Sequence, residues 1–478
     1  MKKMINLMCA ACLAITGMAA ALPAEIAVYA EEAAPTSGTL QGGQTWTLDS
    51  EGMLTISGTG EMKERQGTDY PWDLQRDAVK KLVIQEGITN IGSSAFRDCR
   101  ALTEVTIPQS VMKIASYAFD ECRLLTEVKL PQSLTYIGAG AFYSCSALAE
   151  INIPQSVTYI GRGAFNFCHK LVGVEIPKSV TTIEEGAFGY CNGLESITVD
   201  PENPNYCDVD GVLFSKDKTE LLKYPAGKTQ TSYVIPDGVT LIDYVAFQSA
   251  NNLAEITFPA SVDRIENFVF TGTQWLKDRL AENPMVVVNG ILINAEQCEG
   301  DVTVPENVKI IGDWAFYNSK VTSVILPEYI IRVDESAFYG VKTLQALTVK
   351  NPDCQFPSYD YALQNATIYG LRGSTAEAFA QAHKYNFAAI ESAPVQTVLS
   401  GDIDGNGTVE VGDAQKALNA YAEIIAGNDP KLTDVQKKAA DVDNDGRIDV
   451  TDAQYILLYY VENSIAGKPV SWADIIGK

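Results

Sequence analysis

Histidine is almost absent from this chain: 2 in 478 residues. Neither His169 nor His383 stands in a cluster with metal-ligand spacing, so hydrolytic chemistry built on a histidine base has little to draw on. Basic residues are also scarce, 36 Lys and Arg against 60 Asp and Glu, for a net charge of −24. A phosphate backbone rewards clusters of Lys and Arg, and none is visible, so nucleic acid is excluded as a partner. Beyond the first residues no apolar run reaches the ~20 needed to cross a bilayer, and no membrane span is expected. A chain this long exceeds one ordinary core, which implies several domains or a solenoid.

The first residues, "MKKMINLMCAACLAITGMAA", combine two lysines with an apolar run and end at "AVYA" before Glu31. They read as a secretory signal peptide over 1–30 with cleavage after Ala30, in preference to a membrane anchor, and neither Cys9 nor Cys12 has a lipoprotein context. The mature protein is therefore expected outside the cell, secreted and held by non-covalent contacts.

Self-similarity dominates the next three hundred residues. Ala-Phe pairs recur at Ala95-Phe96, Ala118-Phe119, Ala141-Phe142, Ala164-Phe165 and Ala187-Phe188, each 23 residues from the last. The frame resumes at Ala246-Phe247, Val269-Phe270, Ala315-Phe316 and Ala337-Phe338. In each unit a short strand alternates, as in Val105, Thr106 and Ile107, and Pro108 ends it because proline has no N–H to donate. Val111 and Ile114 point inward from the return segment and Phe119 fills the far corner. One such unit cannot bury its apolar face alone, so the units must stack as coils with strands ~4.8 Å apart. Two stretches break the period, 200–228, which reads as a hairpin within a longer coil, and 275–300.

The strings "IPQSVTYIGRGAFNFC" (153–168) and "IPKSVTTIEEGAFGYC" (176–191) resemble the BspA-like leucine-rich repeats of bacterial surface and secreted proteins. The resemblance implies a β-rich leucine-rich-repeat solenoid of ~23-residue coils over 81–350. "TWTLDSEGMLTISGTGEM" is similar to the N-terminal caps of such proteins and places a cap at 31–80. "ATIYGLRGSTAEAFAQAHKYNFAAI" places another at 351–392, where Ser374 and Glu377 have capping-box spacing for a helix before a final strand. His383 falls in that helix and is expected to be exposed.

Cys99, Cys122, Cys145, Cys168 and Cys191 each follow the repeat Phe by three residues. A secreted protein invites disulfides here, but five members of one column cannot all pair, and buried free thiols acting as small hydrophobes are expected. Cys168 and His169 do not make a nucleophile pair, because four equivalent cysteines have no histidine beside them. Glu104, Glu127 and Glu150 form an acidic column, read as a solvated face, since glycoside hydrolysis needs two carboxylates in different environments. An enzymatic reading would rely on the insertions, where Asp208, Asp210 and Asp217 have turn-like surroundings. A carbohydrate-binding reading wants exposed aromatics in a row, whereas the strand column reads Thr106, Lys129, Asn152, Glu175 and Thr198.

After a linker at 393–399, "GDIDGNGTVEVGDA" places Asp402, Asp404, Asn406, Thr408, Glu410 and Asp413 at positions 1, 3, 5, 7, 9 and 12 of a loop, with Gly407 at 6. Position 7 contributes its carbonyl. Offset by 39 residues, Asp441, Asp443, Asp445, Arg447, Asp449 and Asp452 repeat the pattern around Gly446. Ca²⁺ takes six to eight hard oxygens and the glycine permits the turn around it, so two Ca²⁺ ions are expected. Both twelfth positions are Asp, and Pro394 precedes the first loop where an EF-hand has a helix. Helices are expected after each loop, with a connecting helix capped by Thr433 and Gln436. This loop-then-helix unit resembles a type I-like dockerin over 400–478, a small all-α calcium-binding domain.

That resemblance implies binding to a cohesin domain on a scaffoldin or cell-surface protein, in a cellulosome-like, polysaccharide-degrading assembly. Carried over by position, the recognition residues are Val411, Gly412, Leu418 and Asn419 in the first unit and Val450, Thr451, Leu457 and Leu458 in the second. The whole then reads as a secreted non-catalytic binding or adhesion protein, its solenoid facing an unknown protein or surface ligand. The alternatives are a dockerin-borne polysaccharide- or peptide-degrading enzyme, or a carbohydrate-binding module.

Overall fold

An alternating strand exposes half its residues and buries the other half, and in this chain the buried half finds its partner one coil away. The computed structural model describes residues 36–62, 70–358, 361–390 and 399–477. The leader expected at 1–30 and nearly all of the linker expected at 393–399 lie outside the described residues. Two compact units are present. One comprises the described chain up to Val321 with Arg332–Thr343 and Pro357–Ala362, and the other comprises Thr322–Ile331, Leu344–Phe356 and the chain from Leu363 onward.

The first unit is a β-solenoid. It begins with an antiparallel meander, Ser37–Thr39, Thr45–Leu48 and Met53–Ser57, which pairs in parallel with Lys81–Ile84 and then Glu104–Thr106. A second parallel ladder runs through Ile88–Ile91, Lys113–Ile114, Tyr136–Ile137, Tyr159–Ile160 and Thr182–Ile183. Its register is one coil, Tyr136 opposite Tyr159 and Ile137 opposite Ile160. Val105, Ile107, Val111, Ile114 and Phe119 are all buried, as the alternation requires.

The corner phenylalanines form a continuous stack. Trp72, Phe96, Phe119, Phe142, Phe165 and Phe188 follow one another with ring centroids 5.3 to 5.7 Å apart and nearly parallel planes. Beyond the first insertion Tyr224, Phe247 and Phe270 resume the stack, then Phe316 and Phe338. Polar members of the frame also act between coils. Ser110, Ser133, Ser156 and Ser179 donate from Oγ to carbonyls of the preceding coil at 2.6 to 2.7 Å. Cys122, Cys145, Cys168 and Cys191 direct Sγ to the phenylalanine carbonyl of the preceding coil at 3.1 to 3.3 Å.

One feature is not legible from the repeat. Each coil turns at two left-handed residues four apart, such as Tyr117 (φ 58°) and Glu121 (φ 63°), or Val245 (φ 53°) and Ser249 (φ 63°). Left-handed backbone costs a non-glycine residue roughly 1–2 kcal/mol. A third backbone ladder holds it there: Tyr117, Phe119 and Glu121 donate N–H groups to Ala139, Ala141 and Tyr143 of the next coil, each at 2.8 Å. Without neighbours that turn has no reason to persist.

The insertions differ in content. Tyr206–Val209 and Val212–Ser215 form the expected hairpin, turning at Asp210 and Gly211, both with positive φ. The second insertion contains a helix that the sequence pattern did not announce, Gln274–Glu282, capped by Thr273 Oγ1 accepting from Leu276 N at 3.1 Å. A second hairpin follows, Val286–Val288 with Ile291–Asn294, turning at Asn289 and Gly290.

In the second unit, parallel strands Ala346–Val349, Thr367–Gly370 and Asn386–Ala389 close the repeat, with the helix Thr375–His383 between the last two. Ser374 caps that helix, but Glu377 reaches back to Gly373 N, not to Ser374, so the predicted reciprocal box is half formed. His383 is half-buried, contrary to the expectation of exposure, because its ring packs on Phe379 and Tyr385 and its Nδ1 lies 2.9 Å from the Phe379 carbonyl. The remainder of this unit is a small helical module built on Val411–Ile425, Asp434–Ala440, Val450–Tyr460 and Trp472–Ile476.

Two outcomes follow from the stacking. Phe142→Ala removes a fully buried ring from the middle of the column and is expected to cost about 3–5 kcal/mol, read as a fall in the denaturant midpoint. All five column cysteines are free and buried, and burial pushes the thiols of Cys99 and Cys191 up to about 12. Alkylation followed by intact-mass measurement is therefore expected to leave these five unmodified in the native protein and to label them in denaturant.

Candidate functional site

In the helical module, the small side chains Ala414 and Ala417 of the first long helix and Ala453 of the second are buried in one cluster with Ile403, Val442 and Ile456. That close packing brings the two acidic loops into a related arrangement. The connecting helix starts at Thr433 with the predicted box complete, Thr433 and Gln436 each satisfying the other's backbone. At the far end Trp472 stacks on Tyr459 at 4.2 Å, and a Cβ on Gly401 would lie 2.6 Å from the Trp472 ring. The tail thus returns to the start of the first loop.

Both loops converge on carboxylates. Oxygens of Asp402, Asp404 and Asp413 lie within 4.8 Å of one another, as do those of Asp441, Asp443 and Asp452. Asp413 and Asp452 are buried, and each accepts N–H bonds from the start of its own loop, Ile403 N and Val442 N, both at 2.9 Å. Asp402 accepts from Gly405, Asn406 and Gly407, so the backbone wraps around it. Gly407 (φ 89°) and Gly446 (φ 83°) occupy the left-handed turns assigned to position 6.

Three carboxylates this close repel one another, and among the described residues a cation pairs with these triads at one place. Lys416 Nζ pairs with Asp404 at 2.8 Å, whereas Asp441 Oδ1 is buried with no hydrogen-bond partner. Burial raises the Asp452 carboxyl above its ordinary value. An orphaned carboxylate oxygen beside two others is what a hard divalent ion satisfies, so the donor set fits Ca²⁺.

The remaining predicted ligands are held in the loops but not in those triads. Asn406 accepts from Thr408 and donates to Glu410, Asp445 accepts from Arg447 N, and Asp449 accepts from Thr451 N as a helix cap. These contacts keep positions 5, 7 and 9 on the same loop as the clusters.

The positions carried over for partner recognition lie on one kind of surface. Val411, Leu418, Val450 and Leu457 are 53, 42, 40 and 44% exposed. Gly412 and Asn419 are exposed as well, while Thr451 and Leu458 are half-buried. Sequence reasoning missed the extension of this apolar stripe to Ile425, Val461 and Ile465, which are 65, 39 and 67% exposed. Helical spacing from Leu418 and Leu457 was the signal that could have found them.

The catalytic alternatives in the first insertion dissolve into local structure. Asp208 accepts from Val199 N at 2.8 Å, Asp210 forms the hairpin turn, and Asp217 accepts from Ser215 and Thr219. Those hydrogen bonds, the one from Ser215 foremost, hold Asp217 below the usual carboxylate range. His169 directs Nδ1 to the Tyr190 carbonyl, away from Cys168 chemistry. Glu104 pairs with Lys81 at 3.0 Å, and Glu127 stands opposite Glu150 on the exposed strand face.

Comparison with known proteins agrees with these two parts. The family model of the BspA type leucine rich repeat region matches residues 75–195, 226–288 and 294–392, in six copies. The model of the dockerin type I domain matches residues 400–458. Dockerin domains bind calcium and cohesins. No curated protein matches the chain. Among solved structures, a leucine-rich repeat protein from Eubacterium ventriosum is 24% identical, with 69% of this chain and 82% of that one covered and a TM-score of 0.44. The pneumococcal vaccine antigen PcpA is 20% identical, over 74% and 98% of the two chains, also with a TM-score of 0.44. A leucine-rich cell surface protein from Faecalibacterium prausnitzii is 23% identical over 72% and 96%, with a TM-score of 0.41. No helix among the described residues is long and apolar enough to cross a membrane. With more than half its length matched by the repeat, the chain belongs to the BspA-type leucine-rich repeat family, and it carries a dockerin type I domain behind the solenoid.

Proposed function

We propose that this is a secreted, non-catalytic binding or adhesion protein whose solenoid contacts a ligand and whose dockerin docks it, through two Ca²⁺ ions, onto a cohesin of a scaffoldin or cell-surface protein. The observation that carries the reading is the duplicated loop-helix unit, with two carboxylate triads 39 residues apart and an exposed apolar stripe on the helices behind them. Calcium acts on the loops and the stripe acts on the partner, so the two roles are separable. Asp402, Asp404, Asn406, Thr408, Glu410 and Asp413 form the first ion site, and Asp441, Asp443, Asp445, Arg447, Asp449 and Asp452 the second. Thr408 and Arg447 contribute carbonyls.

The docking face consists of Val411, Gly412, Leu418, Asn419, Val450, Thr451, Leu457 and Leu458. Its apolar character favours a cohesin whose own face is apolar at the centre, since desolvated apolar anchors carry most of an interface's energy. The acidic balance of the chain, the secretory leader expected at 1–30 and the surface-protein repeat family fit an extracellular location.

Calorimetry with a panel of cohesin domains tests the docking. Binding is expected with calcium and not with chelator, Asp402→Ala combined with Asp441→Ala is expected to abolish it, and undiminished affinity of that double variant refutes the reading. Leu457→Asp is expected to weaken cohesin binding at least about tenfold while calcium binding is retained.

A separate expectation concerns stability. Because calcium binds only the folded loops, at about 1,000 times its Kd it stabilises the dockerin by about 4 kcal/mol for each of the two sites. Chelation should lower the dockerin's unfolding transition in a calorimetric scan and leave that of the solenoid in place.

A further inference from the structure

The regular frame breaks between Phe270 and Phe316, where two coil periods are filled by the helix Gln274–Glu282 and the hairpin Val286–Val288 with Ile291–Asn294. At that break the first unit opens a cleft of about 630 Å³, within the roughly 300–1,000 Å³ of small-molecule sites. The inserted helix contributes Leu276 and Lys277 as a wall, the hairpin contributes Asn294, and the coil edges contribute Phe268, Trp314 and Tyr317. The regular coils do not carry these walls.

The aromatic lining is one end of a packed cluster, in which Trp314 also stacks on Tyr339 at 4.4 Å. Phe268 stands edge-on to Trp314 at 5.0 Å and to Tyr317 at 5.4 Å, and Trp314 and Tyr317 are stacked at 5.0 Å. All three are half-buried. Phe268 (φ 56°) and Trp314 (φ 54°) occupy the left-handed turn column, where the backbone ladder holds bulky residues in a conformation they otherwise avoid. The row of aromatics absent from the strand face therefore exists on the turn edge. A separate group, Tyr143, Phe167 and Tyr190, lies along the earlier coils with centroids 5.2 and 4.2 Å apart.

The polar lining is matched to a neutral partner. Glu266 is paired with Arg264 at 2.6 Å, and Asp313 is hydrogen-bonded to Glu266. Burial first, then that hydrogen bond, push Asp313 up to about 7, so near neutral pH it offers donor and acceptor forms. Lys277 and Glu296 add one charge of each sign to the lining. A cationic ligand would meet Lys277, and an anionic one Glu266, Glu296 and Asp313.

We propose that this cleft binds a neutral oligosaccharide, with the apolar face of a pyranose ring against Trp314 and Tyr317 and its hydroxyls bonded to Glu266, Asp313 and Asn294. The inference rests on the reading of the solenoid as the ligand-binding part and names its ligand class. The pair Glu266 and Asp313 does not suit hydrolysis. A glycosidase holds its two carboxyls about 5–9.5 Å apart on opposite sides of the anomeric carbon, whereas Glu266 and Asp313 are bonded to each other and leave no room for it.

Full-length protein with calcium, titrated with cellohexaose, xylohexaose, mannohexaose and a β-1,3-glucohexaose, tests this. At least one hexaose is expected to bind, and Trp314→Ala and Asp313→Asn are each expected to weaken it at least about tenfold with melting temperatures within about 2 °C of wild type. If Trp314→Ala is destabilised, Lys277→Trp, which fills the rim without touching the turn column, takes its place with the same expected loss. Tyr136→Ala, on the ladder of short return strands, should leave hexaose affinity unchanged. The proposal is overturned if no hexaose binds at millimolar concentration, if the cleft variants bind as wild type, if hexalysine binds in place of every hexaose, or if the hexaose is cleaved. Cohesin titration of the same samples separates the two readings: cohesin binding without hexaose binding removes the cleft alone, and the reverse removes the docking function alone.

Discussion

Hydrogen bonding and ring stacking between residues one coil apart is the constraint on which the solenoid depends. A two-residue strand such as Tyr136–Ile137 has no independent stability. It exists because Lys113–Ile114 and Tyr159–Ile160 flank it in register, because Phe142 lies between Phe119 and Phe165, and because Ser133 and Cys145 bond backward to the preceding coil. The left-handed turns make the dependence sharper. Tyr117 and Val245 hold positive φ only while the next coil accepts their neighbours' N–H groups, so local conformation is set by the stack and not by the residues themselves. Stability in such an array is a sum over neighbours, and a coil cannot be altered without changing the coils on both sides.

The same logic explains what was legible in the sequence. Positions whose role repeats in every coil, the strand alternation, Pro108, Phe119 and the cysteine column, stand out because 23-residue spacing repeats the same physical environment. The convergence of Asp402, Asp404 and Asp413 was legible for a related reason, since a loop that wraps back on itself fixes which residues bring their oxygens together. What escaped detection lacks either form of repetition. The helix Gln274–Glu282 fills a break in the period, and the turn column accepts Ser94, Tyr117, Gly140, Gly163, Val245, Phe268 and Trp314 alike, because a ladder of backbone bonds imposes its conformation. A column with no preferred side chain leaves no trace in a motif. His383 was misplaced because helix position alone does not reveal that Phe379 and Tyr385 cover its ring.

In the dockerin the balance of forces is electrostatic. Asp413 and Asp452 sit at the first turn of their helices and satisfy loop N–H groups, so each is a structural cap as well as a member of its carboxylate cluster. This dual use means that the loops retain their wrapped form through backbone hydrogen bonds, while the repulsion within each triad is left for a cation to offset. Lys416 does so in part at Asp404, and the second loop has no such substitute at Asp441 Oδ1. Two loops of related sequence therefore differ in how much of their charge the protein itself neutralises.

Interruptions are where a stacked architecture gains chemistry. Every regular coil must spend its inward residues on the core and its polar frame on the neighbouring coil, and what is left outward is a repetitive surface such as Thr106, Lys129, Asn152, Glu175 and Thr198. A repeated surface offers the same groups at every step and no enclosed volume. An insertion escapes that rule, since its ends rejoin the ladder while its middle is free of the 23-residue frame. The first insertion uses this freedom for a hairpin whose aspartates serve its own turns. The second adds a helix and a hairpin beside turn-edge aromatics, and walls, rings and unequal carboxyls meet there in one cleft. Chemical asymmetry thus enters this solenoid where its repeat fails.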